Sequence, residues 1–299
     1  MVNRKTTSDI VIDAVVYISL IFIVIITLYP FLNVLAISLN ESMDSIKGGI
    51  YIRPRKFTLS NYQEILRYNN LLNSAMVSVL RTVLGTVLGL ISSCMFAYTL
   101  SRKDFIFRKA FSIILVLTLY VSGGLVPDYM LMRNMGLINN FWVYILPALI
   151  SGWNVIVIRS YMDGLPSSLQ ESAKIDGAND FVIFVKIVLP ISLPVVATIS
   201  LFIAVGQWNS WMDTYLYAFN AENLSTLQYE LVKILLSATA SQGSSQSMLY
   251  DSTTATKSMV SPQSIRMAIT IVATLPILIV YPFVQKYFVS GITLGAVKS

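Results

Sequence analysis

Long uncharged apolar runs alternate with short charged segments along this chain. Ala14 to Asn40 carry no charge over 27 residues, and Thr82 to Ser101 form a second uncharged run of 20. A helix of about 20 apolar residues is long enough to cross the hydrocarbon core of a bilayer. The pattern predicts an all-α, polytopic membrane protein with six transmembrane helices. Their approximate ranges are 14–38, 72–101, 108–130, 138–160, 188–210 and 266–288.

Two longer polar segments separate the predicted spans. Residues 163–189 hold the longest run of mixed charge between apolar runs. Residues 221–263 are rich in serine and threonine toward their end, a composition typical of a flexible loop. A loop of this length is usually either functional or disordered. We expect one membrane domain, residues 1–299, with one of these loops on each side of the bilayer.

The first polar segment contains signals for two short helices. Ser168, followed three residues later by Glu171, is a capping-box pattern that predicts where the first helix begins. Gly177 can adopt a positive φ and end that helix. Asn179 or Asp180 can cap the second helix. The sequence therefore predicts a helix, a tight turn and a second helix between two membrane spans.

Small side chains in the first helix mark a candidate docking surface. Ser172 and Ala173 leave room for a partner protein to approach closely. The segment resembles the cytoplasmic loop of permease subunits of binding-protein-dependent ABC importers, in which E-A-A, three residues, D-G-A and then I-x-L-P follow in order. The matching residues are Glu171, Ser172, Ala173, Asp176, Gly177, Ala178 and the run from Ile187 to Pro190, with Ser172 in place of the usual first alanine.

This resemblance implies the six-helix fold of a type I ABC importer permease. It also implies that residues 163–189 form a coupling loop, whose helix seats in a cleft of an ATPase subunit. Our hypothesis is that ATP-driven closure of the ATPase pair moves the helix from Glu171 to Gly177 as a lever. The other interpretation of the same pattern is an amphipathic re-entrant loop without a partner.

Composition supports membrane insertion and excludes several kinds of site. Of the 299 residues, 55% are hydrophobic and only 12% are charged, and the mean hydropathy is +0.69. The net charge of +6 indicates lysine and arginine beside the membrane, because no basic stripe interleaved with aromatic residues suggests nucleic-acid binding. The chain has no histidine and one cysteine, Cys94, which excludes histidine-dependent triads, disulfide frameworks and cysteine-rich metal sites.

No motif for nucleotide hydrolysis occurs in the chain. A G-x-x-x-x-G-K-[ST] sequence is missing, so we expect no cofactor here and a non-catalytic transport subunit. ATP and Mg²⁺ would bind to a separate ATPase subunit. The family resemblance implies a second permease, two ATPase subunits and an external sugar-binding protein as partners, with membrane lipid around them and no nucleic acid.

Aromatic and amide side chains cluster near the end of the fifth predicted span. Gln207, Trp208, Asn209 and Trp211 lie in a segment that resembles the W-N-x-[FW] segment of maltose-type permeases. The two tryptophan faces can stack on pyranose rings, and the two amides can donate and accept hydrogen bonds to hydroxyl groups. Amides at membrane depth normally face a bundle interior or a water-filled path, which predicts a substrate path. The alternative is an aromatic belt at the outer interface, with the amides bonded to neighbouring helices.

Arg81 is the only cation that lies away from the ends of a predicted span. One interpretation is that it snorkels to the outer surface from the first turns of the second helix. The other is that it contacts an anionic substrate in the translocation path. In the same helix, Gly85 and Gly89 form a G-x-x-x-G pattern, which permits close helix packing. Asp213, beyond the fifth span, is expected to be interfacial rather than a proton carrier.

The carboxyl end resembles the same sugar-importer group, whose tails read Q-x-x-[FY]-V-x-G-[IL]-T-x-G-x-V-K. In relatives this tail reaches the ATPase dimer. Together with the coupling loop, it indicates a carbohydrate importer. The matching residues are Gln285, Phe288, Val289, Gly291, Thr293, Gly295, Val297 and Lys298, with one residue of slack before Val289.

The cargo is inferred from the composition and resemblance of the outer segments rather than from a motif. The outer segment GGIYIRPRKFTLSNY and the serine-rich loop resemble the subgroup that serves complex oligosaccharides, including pectin- and alginate-type oligouronides. In the related maltose-transporter permease, an outer loop at the place of residues 221–263 reaches into the sugar-binding protein. Basic outer residues and Arg81 would suit an anionic sugar, although lipid headgroups would explain them too. A peptide or polyamine cargo and an ion-coupled secondary transporter remain as alternatives, the latter needing intramembrane carboxylates that the uncharged runs lack.

Six spans place both termini on one side of the membrane. The coupling loop and the turn at residues 102–109, which holds four cations, lie on that same side. This arrangement fits the cytoplasmic face. We therefore expect a multi-pass protein of the bacterial cytoplasmic membrane with both termini in the cytoplasm.

Overall fold

Helices make up nearly all of the regular structure. The computed structural model describes residues 7–67, 71–243 and 261–296. Within these ranges, strand-like pairing is limited to one isolated antiparallel bridge between Asn40 and Phe57. The predicted all-α class is confirmed.

The α-helices of the described residues are numbered in chain order. They are α1 Thr7–Ser38, α2 Ser42–Ser45, α3 Ser60–Arg67, α4 Leu71–Ser101, α5 Arg108–Tyr120, α6 Leu125–Asn134, α7 Gly152–Asp163, α8 Ser167–Ile175, α9 Asp180–Ile183, α10 Leu189–Ile191, α11 Leu193–Asn209, α12 Met212–Tyr217, α13 Leu227–Gly243 and α14 Pro262–Ala296. A π-helix, Phe184–Val188, joins α9 to α10, and 3-10 helices span Phe141–Tyr144, Leu146–Ala148 and Glu222–Leu224.

Three single helices are long and apolar enough to cross a membrane, namely Asp9–Ser38, Leu71–Ser101 and Gln263–Pro282. Two bent pairs also qualify. Phe141–Ala148 with Gly152–Asp163 is bent by 45°, and Asp180–Ile191 with Leu193–Asn209 is bent by 83°. Counting each pair as one gives up to five candidate spans among the described residues. The number of six therefore stays a prediction.

The region predicted as the third span, residues 108–130, is interrupted. Helix α5 ends at Tyr120, Val121 is extended, and Gly124 has a φ of +86° just before α6 begins. Such a backbone conformation is readily adopted by glycine. The helix therefore breaks here although the surrounding run is apolar.

Part of the predicted flexible loop at residues 221–263 is helical. Helix α13 covers Leu227–Gly243, and its Leu227, Leu231 and Ile234 side chains are buried. Their spacing of four and then three residues places them on one face of a helix, which explains why this part folds. Residues 244–260, which hold most of the serine-rich sequence, lie outside the described residues.

The chain divides into two compact units. The first holds the described residues before 70 and those from 233 to 275, and the second holds those from 71 to 232 and from 276 onward. In the second unit, α4 packs against α11 and α7. Buried side chains from these helices and from the coupling loop form one core, which includes Ala97, Leu100, Val155, Ile158, Ala173, Ile183, Val188 and Ile199.

In the first unit, the polar segment after α1 is held by buried hydrogen bonds. Asn61 donates to the carbonyls of Ser38 and Asn40 at 2.8 and 2.9 Å. Asp44 accepts from Asn40 at 3.1 Å and from Arg55 Nε at 2.9 Å. The hydrogen bond from Asn40, with that from Arg55, lowers the pKa of Asp44 below its ordinary value of 3.8. These bonds explain how a segment with little secondary structure holds one shape.

Candidate functional site

Helix α8 of the coupling loop ends in a glycine-dependent turn. The amide of Ala178 donates to the Ala173 carbonyl at 2.9 Å, and that of Gly177 donates to the Lys174 carbonyl at 3.1 Å. This pair of bonds is the Schellman motif, in which the residue after the C-cap takes a left-handed backbone. Gly177 has a φ of +80°, as predicted. The side chain of Asn179 then caps α9, which confirms the first of the two predicted caps.

The start of α8 differs from the prediction. The helix begins at Ser167, with Pro166 at the N-cap and no side-chain cap hydrogen bond. The predicted capping box of Ser168 and Glu171 is therefore wrong, because the helix starts two residues earlier, with Pro166 at the N-cap, and Ser168 lies inside its first turn. The Glu171 carboxylate is exposed and makes no hydrogen bond or ion pair within the described part of the chain. It is available to a partner.

The exposed face of α8 is not the one that small side chains suggested. Ala173 is 7% exposed and packs in the core, so the prediction that a partner can reach it is wrong. Ser172 is exposed, as are Asp176 and Gly177. Ile175, which no sequence motif marked as a functional residue, is 86% exposed. It lies two residues after Ala173, about 200° around the helix, so the burial of Ala173 turns Ile175 outward.

Four charged side chains tie the coupling loop to the turn after α4. Arg102 lies 3.3 Å from Asp104 and 3.5 Å from Asp180. Lys174 lies 3.3 and 3.6 Å from the same two carboxylates. Arg102 also donates to the side chain of Gln170, and its hydrogen bond to Asp104 lowers the pKa of that carboxyl. Both α8 and α9 are thereby held against one turn.

A second polar cluster surrounds Arg81 on α4. Arg81 is only 2% exposed, and each of its five N–H groups has an acceptor. Nε and Nη2 donate to Gln207 Oε1, each at 3.0 Å. The two terminal nitrogens form a bidentate pair with Asp213, with Nη1–Oδ1 at 3.1 Å and Nη2–Oδ2 at 2.5 Å, and Nη1 also donates to the Ser210 carbonyl at 3.4 Å. The snorkelling interpretation is wrong, because Arg81 is paired inside the protein.

Gln207 joins three elements around this arginine. Its Nε2 donates to the Tyr144 carbonyl at 3.2 Å, and the Tyr144 ring lies 4.5 Å from the Arg81 guanidinium carbon. Gly85, one turn along α4, makes the approach possible, since a Cβ there would lie 2.8 Å from the Gln207 amide. Gly89 meets only ordinary contacts at 3.8 Å. The close helix packing predicted from the two glycines is confirmed, and Gly85 accounts for it.

Arg81, Gln207 and Asp213 line a cavity of about 700 Å³ within the second unit. A volume between about 300 and 1,000 Å³ is typical of small-molecule sites. The cavity has a second carboxylate, Asp128, and several apolar residues in its lining. Further lining residues are Leu131, Met132, Val143, Tyr144, Pro147, Asn154, Phe202, Ile203 and Tyr217.

The other predicted path residues lie elsewhere. Trp208 lines a separate apolar groove with Thr82 and Pro276, on a different side of α11 from Gln207. Asn209 is exposed and Trp211 is half-buried, and neither lines the large cavity. Successive residues of a helix point about 100° apart, so Trp208 can face a different surface from its neighbour Gln207. Asp213 was expected at the interface, yet it is the side chain that completes the Arg81 cluster.

The carboxyl-terminal motif lies on α14 as far as Ala296. Its residues Val297 and Lys298 are outside the described residues. Gln285, at the start of the motif, is exposed. The predicted contact of this tail with an ATPase stays a prediction.

Comparison with known proteins agrees with this architecture. The family model of the binding-protein-dependent transport system inner membrane component matches residues 4–294. The polygalacturonan/rhamnogalacturonan transport system permease protein YtcP of Bacillus subtilis is 38% identical over 286 residues, covering 96% of this chain and 98% of that protein. The arabinooligosaccharides transport system permease protein AraQ of Halalkalibacterium halodurans is 28% identical over 99% of each chain.

A solved structure is also similar. A chain of a bacterial ABC transporter involved in the import of the acidic polysaccharide alginate superposes with a TM-score of 0.80 and 28% identity, over 95% of this chain and 99% of that one. The resemblance first indicated by the coupling-loop motif is confirmed. The chain belongs to the family of binding-protein-dependent transport system inner membrane components.

Proposed function

We propose that this chain is the permease subunit of an ATP-driven importer of oligosaccharides, with acidic oligouronides as its cargo. The observation that carries the proposal is the bidentate Arg81–Asp213 pair in a cavity of sugar-binding size. A guanidinium in this geometry is suited to planar recognition of a carboxylate, the group that distinguishes a uronic acid from a neutral sugar. The names of the similar proteins support it, since they refer to polygalacturonan, rhamnogalacturonan and alginate.

In this proposal the chain does no chemistry itself. ATP and Mg²⁺ are bound by two partner ATPase subunits, and a second permease completes the path. An external solute-binding protein delivers the sugar, and both termini lie in the cytoplasm. Arg81 and Gln207 line the path, whereas Trp208, Asn209 and Trp211 lie outside the cavity.

The contact with the ATPase is assigned to the exposed part of the coupling loop. Glu171, Ser172 and Asp176 supply its polar surface, and Ile175 supplies an apolar anchor. Ala173 and Ala178 act from inside, because they pack α8 and the following turn on the core. Gly177 sets the direction of the chain between α8 and α9.

The test is reconstitution of the whole complex with its binding protein in liposomes. We expect oligogalacturonides to stimulate ATP hydrolysis and to accumulate inside, and neutral oligosaccharides, peptides and polyamines to do so weakly or not at all. Stimulation by a peptide or polyamine alone would replace the proposed cargo. Solute uptake without ATP would instead indicate an ion-coupled transporter.

A further inference from the structure

We propose that Asp213 is a built-in competitor for the cargo carboxylate, and that an acidic sugar binds Arg81 by exchanging with it. The inference rests on the proposed function and adds how the same site would select its substrate. In the structure Arg81 has no free N–H group, because Gln207, Asp213 and the Ser210 carbonyl occupy all five. Any anion that binds this guanidinium must therefore replace an existing acceptor.

Asp213 is the acceptor placed to leave. Its side chain is 21% exposed while that of Arg81 is 2% exposed, so the carboxylate lies on the open side of the pair. Asp213 also belongs to the short helix α12, which an extended residue, Ser210, separates from α11. A change at Ser210 can move Asp213 without moving α11.

Gln207 is the acceptor placed to stay. It lies on α11 itself, is buried, and is held by its own hydrogen bond to the Tyr144 carbonyl. Its Oε1 engages Nε and Nη2 of Arg81 and so fixes the plane of the guanidinium. One acceptor therefore orients Arg81, and the other occupies the edge that a carboxylate would use.

The charge balance gives the exchange its selectivity. A buried guanidinium without a counter-ion is strongly unfavourable, so Asp213 can leave only if another anion takes its place. A sugar hydroxyl offers a hydrogen bond but no charge. A uronate offers the same planar, two-oxygen group as Asp213. The site would therefore admit an acidic sugar at Arg81 and leave Asp213 in place when the sugar is neutral.

The test uses the intact complex with its binding protein in liposomes, and a matched pair of cargoes, an oligogalacturonide and its methyl ester. Each variant is compared with the wild type for one cargo at a time. Because the same binding protein is present in both assays, its own affinity for the acid or the ester does not affect the ratio. With Asp213→Asn, the acid concentration that gives half-maximal ATPase stimulation should fall on the order of tenfold, because the competitor is gone. The ester concentration that gives half-maximal ATPase stimulation should stay unchanged.

Two further variants keep the result interpretable. If Asp213→Asn does not assemble, because Arg81 is left unpaired, the double variant Arg81→Gln with Asp213→Asn removes both charges and should respond to acid and ester alike. Asp128→Asn removes a carboxylate from the same cavity without touching Arg81. We expect it to change the acid response much less than Asp213→Asn does.

The outcomes separate the two levels of the inference. If Asp213→Asn changes the half-maximal concentrations of acid and ester equally, the proposed exchange is wrong. The Arg81–Asp213 pair then has only a structural role. An equal effect of Asp128→Asn on the acid would overturn it too, since general cavity charge would then explain the result. A wild-type complex that responds to neither sugar removes the proposed function itself.

Discussion

Gly85 on α4 lies directly against the side chain of Gln207 on α11, at a distance where a Cβ at residue 85 would come within 2.8 Å of the Gln207 amide nitrogen. The missing side chain at Gly85 therefore makes the hydrogen bonds between Gln207 and Arg81 possible. A glycine one turn from a buried cation thus belongs to the binding cluster although it carries no functional group.

Replacement of Gly85 by alanine should disturb this cluster. We expect Gly85→Ala to cost about 1–3 kcal/mol of stability, because the added methyl group overpacks the contact with Gln207. Apparent melting temperatures of the purified complex measure the effect. Gly89→Ala is the matched control, since its nearest neighbours lie at 3.8 Å and leave room for a methyl group. Equal losses in the two variants would contradict the role given to Gly85.

The turn after α8 should tolerate asparagine but not valine at residue 177. A Cβ at Gly177 would meet nothing within 4 Å, so only the positive φ opposes substitution. For a β-branched side chain this backbone is unfavourable by about 1–2 kcal/mol or more, whereas asparagine adopts it more readily. Co-purification of the ATPase with Gly177→Val should fall well below that with Gly177→Asn. If valine assembles as well as asparagine, the turn is not needed for coupling.

Adjacent positions on α8 should respond to leucine in opposite ways. Ala173→Leu should lower the stability of the permease by about 1–3 kcal/mol, because residue 173 packs in the core. Ser172→Leu should change that stability by less than about 0.5 kcal/mol, since residue 172 is exposed, and should instead weaken ATPase binding. Melting temperature and co-purification separate the two effects. Loss of stability in Ser172→Leu alone would reverse the assignment of the two faces.

The segment after α1 should lose stability in acid through Asp44. A lowered pKa in the folded state means that the ionised carboxyl stabilises the fold above its unfolded pKa, and that this contribution disappears as the pH falls through the folded value. Compared with Asp44→Asn, the wild type should melt at a higher temperature at neutral pH. The difference should shrink below about pH 4.

A second variant tests the cause of that shift. Arg55→Gln removes one donor to Asp44 and leaves Asn40, so the pKa of Asp44 in the folded state should lie closer to its unfolded value. In the Arg55→Gln background, the melting-temperature effect of Asp44→Asn should therefore be smaller at neutral pH and should vanish at a higher pH than in the wild-type background. If the difference in melting temperature between the wild type and Asp44→Asn stays constant from neutral to acid pH, the ionised Asp44 carboxylate does not stabilise the fold.

The sequence predicted the class of fold and the local geometry of the coupling loop well. Gly177 and Asn179 act through their own backbone or the adjacent turn, so a pattern of a few residues contains the information. The long spans α1 and α4 followed from apolar length alone. The break between α5 and α6 was missed, because a hydropathy pattern does not register a glycine with positive φ.

The candidate site was only partly accessible from the sequence. Arg81 and Gln207 were each singled out, but their contact joins residues 126 positions apart and depends on how α4 meets α11. The sequence predicts an interfacial Asp213, because the distance of this residue from Arg81 is not visible along the chain. The tryptophans were grouped with Gln207 by adjacency, whereas helical geometry sends Trp208 to another surface. Tertiary packing decided each of these positions.

The bend of 83° between Asp180–Ile191 and α11 makes the helical segment of the loop a lever arm for rotation of α11. The segment is 12 residues long and would extend roughly 18 Å at 1.5 Å per residue, nearly perpendicular to α11. A displacement of about 3 Å at its far end, next to α8, corresponds to a rotation of α11 of roughly 10° about its own axis. Gln207 belongs to α11 near its other end, and its side chain projects from the axis, so a rotation of α11 would move it. A small sideways displacement of this segment by an ATPase would therefore rotate α11 about its axis rather than slide it. Through Gln207, that rotation would change the hydrogen bonds of Arg81.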